Sequence, residues 1–278
     1  MLGTLARLGD TPIGEPRTYY ELARLFLSRD PADRRRAKVL GQISGGLAGP
    51  QVEIIGRLDA VLLHPNLVTK LHEPEDVEEL SQALSYVRTY CSWATDDAVR
   101  ASLTRLRPKD SCVTLIKSWA NRFDRLPHGL DTRGDPNLVV LATAAMMTAA
   151  GRKYRNCLKT RISESFLGST LFVGFRPSDA REPGAIAVLR RTNAGFFLEA
   201  MYAAENRRVR ADRADLIRHK LMACGVAVFD HAPGDPAIVR SVARMLGQWA
   251  LGDPDNDGWH AELLDAAEEP QQTLPEVA

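Results

Sequence analysis

After a Gly- and Pro-rich stretch over 1–16, apolar residues recur at helical spacing to about position 126. Tyr20, Leu22, Leu25 and Phe26 predict a helix in YYELARLFLSRD, with Thr18 placed to cap it. Pro31 stands at the favoured first-turn position of ADRRRAKVLGQI, and Gly45-Gly46 breaks that helix. Val52, Ile55, Leu58, Val61 and Leu62 predict one helix over QVEIIGRLDAVLLH. Val77, Leu80, Leu84 and Val87 form the stripe of the next, whose acidic first turns suit the positive end of a helix dipole. Asp96 is placed to cap DAVRASLTRL, and Pro108 to begin KDSCVTLIKSWANRFDRL. No repeat motif of solenoid length stands out.

The period then changes. A turn-rich stretch over 127–136 marks a boundary, and LVVLATAAMMTAA (138–150) reads as a buried helix running into a basic segment. Leu171-Phe172-Val173-Gly174-Phe175, 185–189 and 196–202 read as strands, the last two joined by the hairpin signal Thr192-Asn193-Ala194-Gly195. On strict alternation Phe196, Leu198, Ala200 and Tyr202 share one face. ADLIRHKLMAC is helical, with Gly225 as its C-terminal stop. Val226-Ala227-Val228-Phe229 is a candidate fourth strand, and 236–250 a last helix. The expected class is α+β: an N-terminal α-helical array, then a small, mainly antiparallel sheet of three or four strands flanked by helices. The expected division is 1–134 helical, 135–250 α+β, and 251–278 an acidic, flexible tail.

Composition narrows the function classes. Of 278 residues 45% are hydrophobic and 26% charged, which suits a chain with a sizeable core, and a net charge of +1 singles out no partner. The 13-residue run 138–150 is the longest apolar-leaning stretch, and a membrane span needs roughly 20, so no membrane association is expected. Cys91, Cys112, Cys157 and Cys224 lie at least 21 residues apart, which excludes CxxC zinc or redox pairs and makes free thiols in a reducing cytoplasm the expectation. Asp253, Asp255, Asp257 and Gly258 fit the front half of an EF-hand loop, but Leu264 stands where the bidentate Glu belongs. Neither a metal nor a cofactor is expected.

Charge is informative locally. Arg152, Lys153, Arg155, Lys159 and Arg161 occupy ten positions with no acid, and Arg207, Arg208, Arg210, Arg213, Arg218 and Lys220 follow the last strand. Eleven of the 36 basic residues thus flank one small sheet, with Arg190 and Arg191 at its hairpin. Such clusters suit phosphate contact, so DNA or RNA is the expected partner, and another protein docking on the helical array is the alternative. Phe172, Phe175, Phe196, Phe197 and Tyr202 are candidate stacking faces for unpaired bases. If 152–161 is one helix, Lys153, Cys157 and Arg161 stack on one face, and the cations favour the Cys157 thiolate. That makes Cys157 the candidate nucleophile of an alternative, enzymatic reading, with His219 or His231 as base. Glu199, the one acid inside a strand, is expected to pair across the sheet with Arg190 or Arg191.

Residues 151–210 also resemble the C-terminal part of the PcfJ-like family of conjugative plasmids and other mobile elements. The features that carry the resemblance are Asn156-Cys157, the strand 171–175, the hairpin 185–202 and Glu205-Asn206-Arg207. The chain departs from that family in having Asn156 where His is usual and Ala204-Glu205 where Gly precedes the Asn. The resemblance implies a mobile-element context rather than a defined reaction, and the leading expectation is a non-enzymatic accessory protein in that context.

Overall fold

The computed structural model describes residues 1–9, 15–179, 181–228 and 245. Eight α-helices come first: α1 (Leu2–Ala6), α2 (Pro16–Leu27), α3 (Pro31–Gln42), α4 (Gly49–Arg57), α5 (Pro65–Val68), α6 (Glu75–Tyr90), α7 (Asp96–Thr104) and α8 (Cys112–Ala120). Strand β1 (Leu138–Val140) and helix α9 (Ala144–Tyr154) follow, then a 3-10 helix over Cys157–Arg161 and α10 (Ile162–Phe166). The chain continues through β2 (Thr170–Phe175), β3 (Ala185–Thr192), β4 (Gly195–Tyr202), a 3-10 turn at Ala204–Asn206 and α11 (Ala211–Ala223). Met1–Val228 is one compact unit. The class is α+β, with a helical N-terminal region and a four-stranded antiparallel sheet in the order β1-β2-β3-β4.

Local chemistry explains most of the boundaries. Asp30 caps α3 by accepting from the Ala32 amide at 2.8 Å, and Pro31 sits in its first turn. Thr95 rather than Asp96 caps α7, and Ser111 caps α8, three residues after Pro108. The helix expected over 51–64 stops at Arg57, because Leu58 turns extended (ψ 135°) and the next residues pack as turns leading to α5. At the end of α11, Gly225 takes φ +82°, and the Gly225 and Val226 amides donate to Met222 and Leu221 carbonyls. This Schellman closure brings Val226 against Leu221 in the core.

The run 138–150 is not one helix. Leu138–Val140 pairs antiparallel with β2, Val139 opposite Gly174, and so supplies the fourth strand. Thr143 then opens α9 by accepting from the Met146 amide at 3.1 Å. Val226–Val228 forms no full strand; Ala227 makes one parallel bridge to Phe197, and Phe229 lies outside the described residues. The expected helix 236–250, the acidic tail 251–278 with its EF-hand-like segment, and His231 also lie outside them, with only residue 245 described there.

The sheet is covered on both sides. Phe172, Ile186 and Val188 join the large core built by the helical array, α9 and α10. Leu171, Val173, Phe175, Ala187 and Leu189 face the other way, onto Ala214, Ile217 and Leu221 of α11. The array is tied to the sheet by a ring cluster: Tyr86 and Tyr90 of α6 lie 5.2 and 6.4 Å from Phe166 of α10, and the Tyr86 hydroxyl donates to the Phe166 carbonyl at 2.9 Å.

Strict alternation fails on β4. Val188 opposes Ala200 but Leu189 opposes Leu198, so Glu199 is the extra residue of a β-bulge. Phe196 and Leu198 therefore pack on the α11 side, whereas Ala200 and Tyr202 pack on the opposite side. The four residues do not share a face.

Candidate functional site

The basic segment after α9 is not one helix. Tyr154 ends α9, Arg155 turns left-handed (φ 51°, ψ 49°), and Asn156 caps the following 3-10 helix by accepting from the Leu158 amide at 3.3 Å. The turn breaks the spacing that would stack Lys153, Cys157 and Arg161. Glu205 and Asn206, after β4, are also left-handed, at φ 61° and 56°. Each such residue costs on the order of 1 kcal/mol without the freedom of glycine.

These strained residues meet. The Arg155 guanidinium donates to Glu205 Oε1 at 3.3 Å, and Arg207 pairs with Glu205 Oε2. Two basic segments 50 residues apart in sequence thereby come together about one carboxylate, in exposed pairs that mark the junction rather than hold it, and the junction is left positive. Arg152, Lys153, Lys159, Arg191 and Arg208 are exposed and have no ion pair among the described residues. Lys153 stands over the Tyr154 ring at 5.5 Å, and Arg208 sits in an antiparallel bridge to Tyr202. Arg210 is exposed and pairs with Asp212 at 3.2 Å, a contact that salt and water weaken.

Arg161 and Arg190 belong to a different arrangement. Arg161 pairs with Glu164 through two donors at 2.8 and 2.9 Å and lies 5.1 Å from the Phe172 ring centre. Glu164 also accepts from Thr170 Oγ1 at 3.1 Å. Arg190 donates to Glu199 Oε1 at 2.8 Å, as expected of a cross-strand pair, while Glu199 Oε2 is buried without a hydrogen bond among the described residues. Burial pushes the Glu164 carboxyl upward, but Arg161, Thr170 and Arg190 outweigh it and hold the group below its usual range. Burial likewise opposes the Arg161 charge, and Glu164, with lesser help from Glu199 and Cys157, more than restores it. Two cations and two anions therefore compensate each other here, and this pair of arginines adds little to any external field.

The remaining candidates separate by position. Phe172 and Phe175 are 1% and 2% exposed, so neither offers a stacking face; both sides of the sheet are covered. Phe196, Phe197 and Tyr202 are half-buried. Cys157 is exposed at the start of its 3-10 helix. His219 is on α11, against the opposite face of the sheet from the 3-10 helix that carries Cys157, so the sheet separates this thiol from that base. Burial pushes the thiols of Cys112 and Cys224 up, and that of Cys91 to about 11.

Among the described residues no group of three His, Cys, Asp or Glu is placed to hold a metal ion, and no helix is long and apolar enough to cross a membrane. Sequence reasoning did not single out Glu164 or the bridging role of Glu205, because both depend on contacts made only in three dimensions. No family model, curated protein or solved structure matches the chain.

Proposed function

We propose that this protein is a non-enzymatic accessory protein that contacts nucleic acid through one basic surface assembled from the two segments. The observation that carries the reading is the shared carboxylate: Arg155 and Arg207 converge on Glu205, so segments that flank the sheet in sequence adjoin in space. Exposed Arg152, Lys153, Lys159 and Arg208 extend this surface without a carboxylate partner among the described residues. Unpaired cations of this kind gain counterion-release free energy from phosphates, whereas compensated pairs such as Arg161–Glu164 gain little. Backbone strain at Arg155, Glu205 and Asn206 is what a surface held in a fixed shape for a ligand would show. The PcfJ-like resemblance, in the same residues, would place this activity on a mobile element.

The test is fluorescence anisotropy of labelled single- and double-stranded DNA and RNA with the full chain over a salt series. Four phosphate contacts would give log K against log salt a slope of about −3 to −4 on duplex DNA and about −3 on single strands. A flat response with every probe would end the reading.

A further inference from the structure

A cleft of ≈ 410 Å³ lies beside the basic surface, walled by Lys153, Tyr154, Arg176, Pro177, Gly184 and Ala204. A hollow of ≈ 170 Å³ shares Lys153, Tyr154 and Arg176 with it and is otherwise apolar, lined by Val139, Leu141, Met146, Ala149 and Ile186 among others. The combination is a cationic mouth over an apolar floor, the usual make-up of a small-molecule site.

Tyr154 is the second observation. The residue is only 6% exposed, and its hydroxyl makes no hydrogen bond among the described residues. The oxygen itself is not enclosed, so the ring is buried while the hydroxyl stays open to a partner in the cleft. It lies against Gly184, the glycine of the cleft wall whose missing Cβ leaves it room. Burial raises the Tyr154 pKa while the nearby Arg176 charge opposes that, so the group is a neutral donor at physiological pH, with a cation close by. Arg176 has no ion pair among the described residues, and Lys153 holds its ammonium over the Tyr154 ring. The one acid in the cleft wall, Glu182, is taken by Arg213 at 2.6 Å.

We propose that this cleft binds a small organic anion. A carboxylate or phosphate head would lie between Lys153 and Arg176 and accept from Tyr154 Oη, with a short apolar body in the hollow beside Met146 and Ala149. The cleft shares Lys153 with the proposed nucleic-acid surface, but Tyr154, Arg176 and Ala149 lie outside that surface, so variants at those three test the cleft alone.

The experiment is isothermal titration of the full chain with hexanoate and hexyl phosphate, against acetate and hexylammonium. Saturable binding of either six-carbon anion is expected, with acetate at least about tenfold weaker because it lacks the buried methylenes. Hexylammonium is expected to show none. Tyr154→Phe, which removes one oxygen, and Arg176→Gln should each weaken hexanoate about tenfold. Ala149→Leu, made at an exposed position, should narrow the gap between hexanoate and acetate by filling the hollow. Nucleic-acid affinity should be unchanged in Tyr154→Phe. A preference between the two heads would support the proposal and identify the ligand class. Equal binding of hexylammonium, unchanged affinity in both polar variants, or no saturable signal from either anion would overturn it.

Discussion

Gly184→Ala adds a single methyl group at the entrance to β3. Gly184 has an ordinary φ, so no backbone strain accompanies the change and any cost is steric. An added Cβ would stand 2.6 Å from the Phe175 carbonyl oxygen, and nearer still to Tyr154 Oη. Neither atom can yield easily: Phe175 is fixed by its pairing with Ala185, and the Tyr154 side chain is buried against the core. Overpacking of this kind costs about 1–3 kcal/mol, so about 2 kcal/mol is expected. For a chain of this size that corresponds to a Tm lower by about 4–8 °C. Urea and thermal unfolding followed by circular dichroism would measure it. A second variant separates the two clashes. In a Tyr154→Phe background the hydroxyl is gone and only the Phe175 contact remains, so the cost should fall by about 0.5–1.5 kcal/mol. Wild-type stability in Gly184→Ala, or an identical cost in both backgrounds, would refute the placement of Tyr154 on which the cleft depends.

Three further outcomes are expected. Mass-spectrometric mapping of thiol labelling at pH 7.5 should find Cys157 modified first, because it is exposed while burial protects and raises Cys91, Cys112 and Cys224; equal rates at all four would contradict the burial assigned to them. Glu164 is held below the usual carboxylate value of about 4.3, so its stabilising contribution is present at neutral pH and lost as pH falls through the depressed value. Glu164→Gln should therefore differ most from wild type in urea unfolding above about pH 5 and converge with it in acid; a constant difference would show the ion pair is not the cause. Arg190→Ala should destabilise by about 1 kcal/mol after allowance for solvent screening, since it strands Glu199 at the bulge, whereas exposed Arg191→Ala should stay within about 0.5 kcal/mol.

The features legible in the sequence were those decided locally. The stripe Val77, Leu80, Leu84 and Val87 is buried on α6 as its spacing predicts. The hairpin of β3 and β4 closes at Gly195 with φ +124°, a conformation that side chains rarely adopt. The cross-strand pairing of Glu199 with Arg190 was legible from an acid on one strand beside a cation on its hairpin neighbour, and it survives although Glu199 is the bulge residue. Decisions made by distant partners were hidden. Leu138–Val140 has the composition of either a helix or a strand, and pairing with β2 settles it. Nothing in Phe-Leu-Glu-Ala marks a bulge, yet one extra residue moves Ala200 and Tyr202 to the other side of the sheet. Arg155 carries no glycine signal for its left-handed turn, so a single basic helix was the natural reading. For the candidate site, charge density along the chain singled out the two basic segments, but not their meeting at Glu205. Arg161 and Arg190 are compensated by Glu164 and Glu199, while Arg152, Lys159 and Arg208 remain unpaired among the described residues.

The joined basic surface is tested most directly by salt slopes of charge-neutralised variants of the full chain. Arg152→Gln with Lys159→Gln removes two cations from the first segment, and Arg208→Gln removes one from the second. If both segments contact the same nucleic acid, the first variant should reduce the magnitude of the log K against log salt slope by about 1.4–1.8, the second by about 0.7–0.9, and the combination by their sum. A slope that stays at the wild-type value in either segment's variant would contradict a single surface built from both.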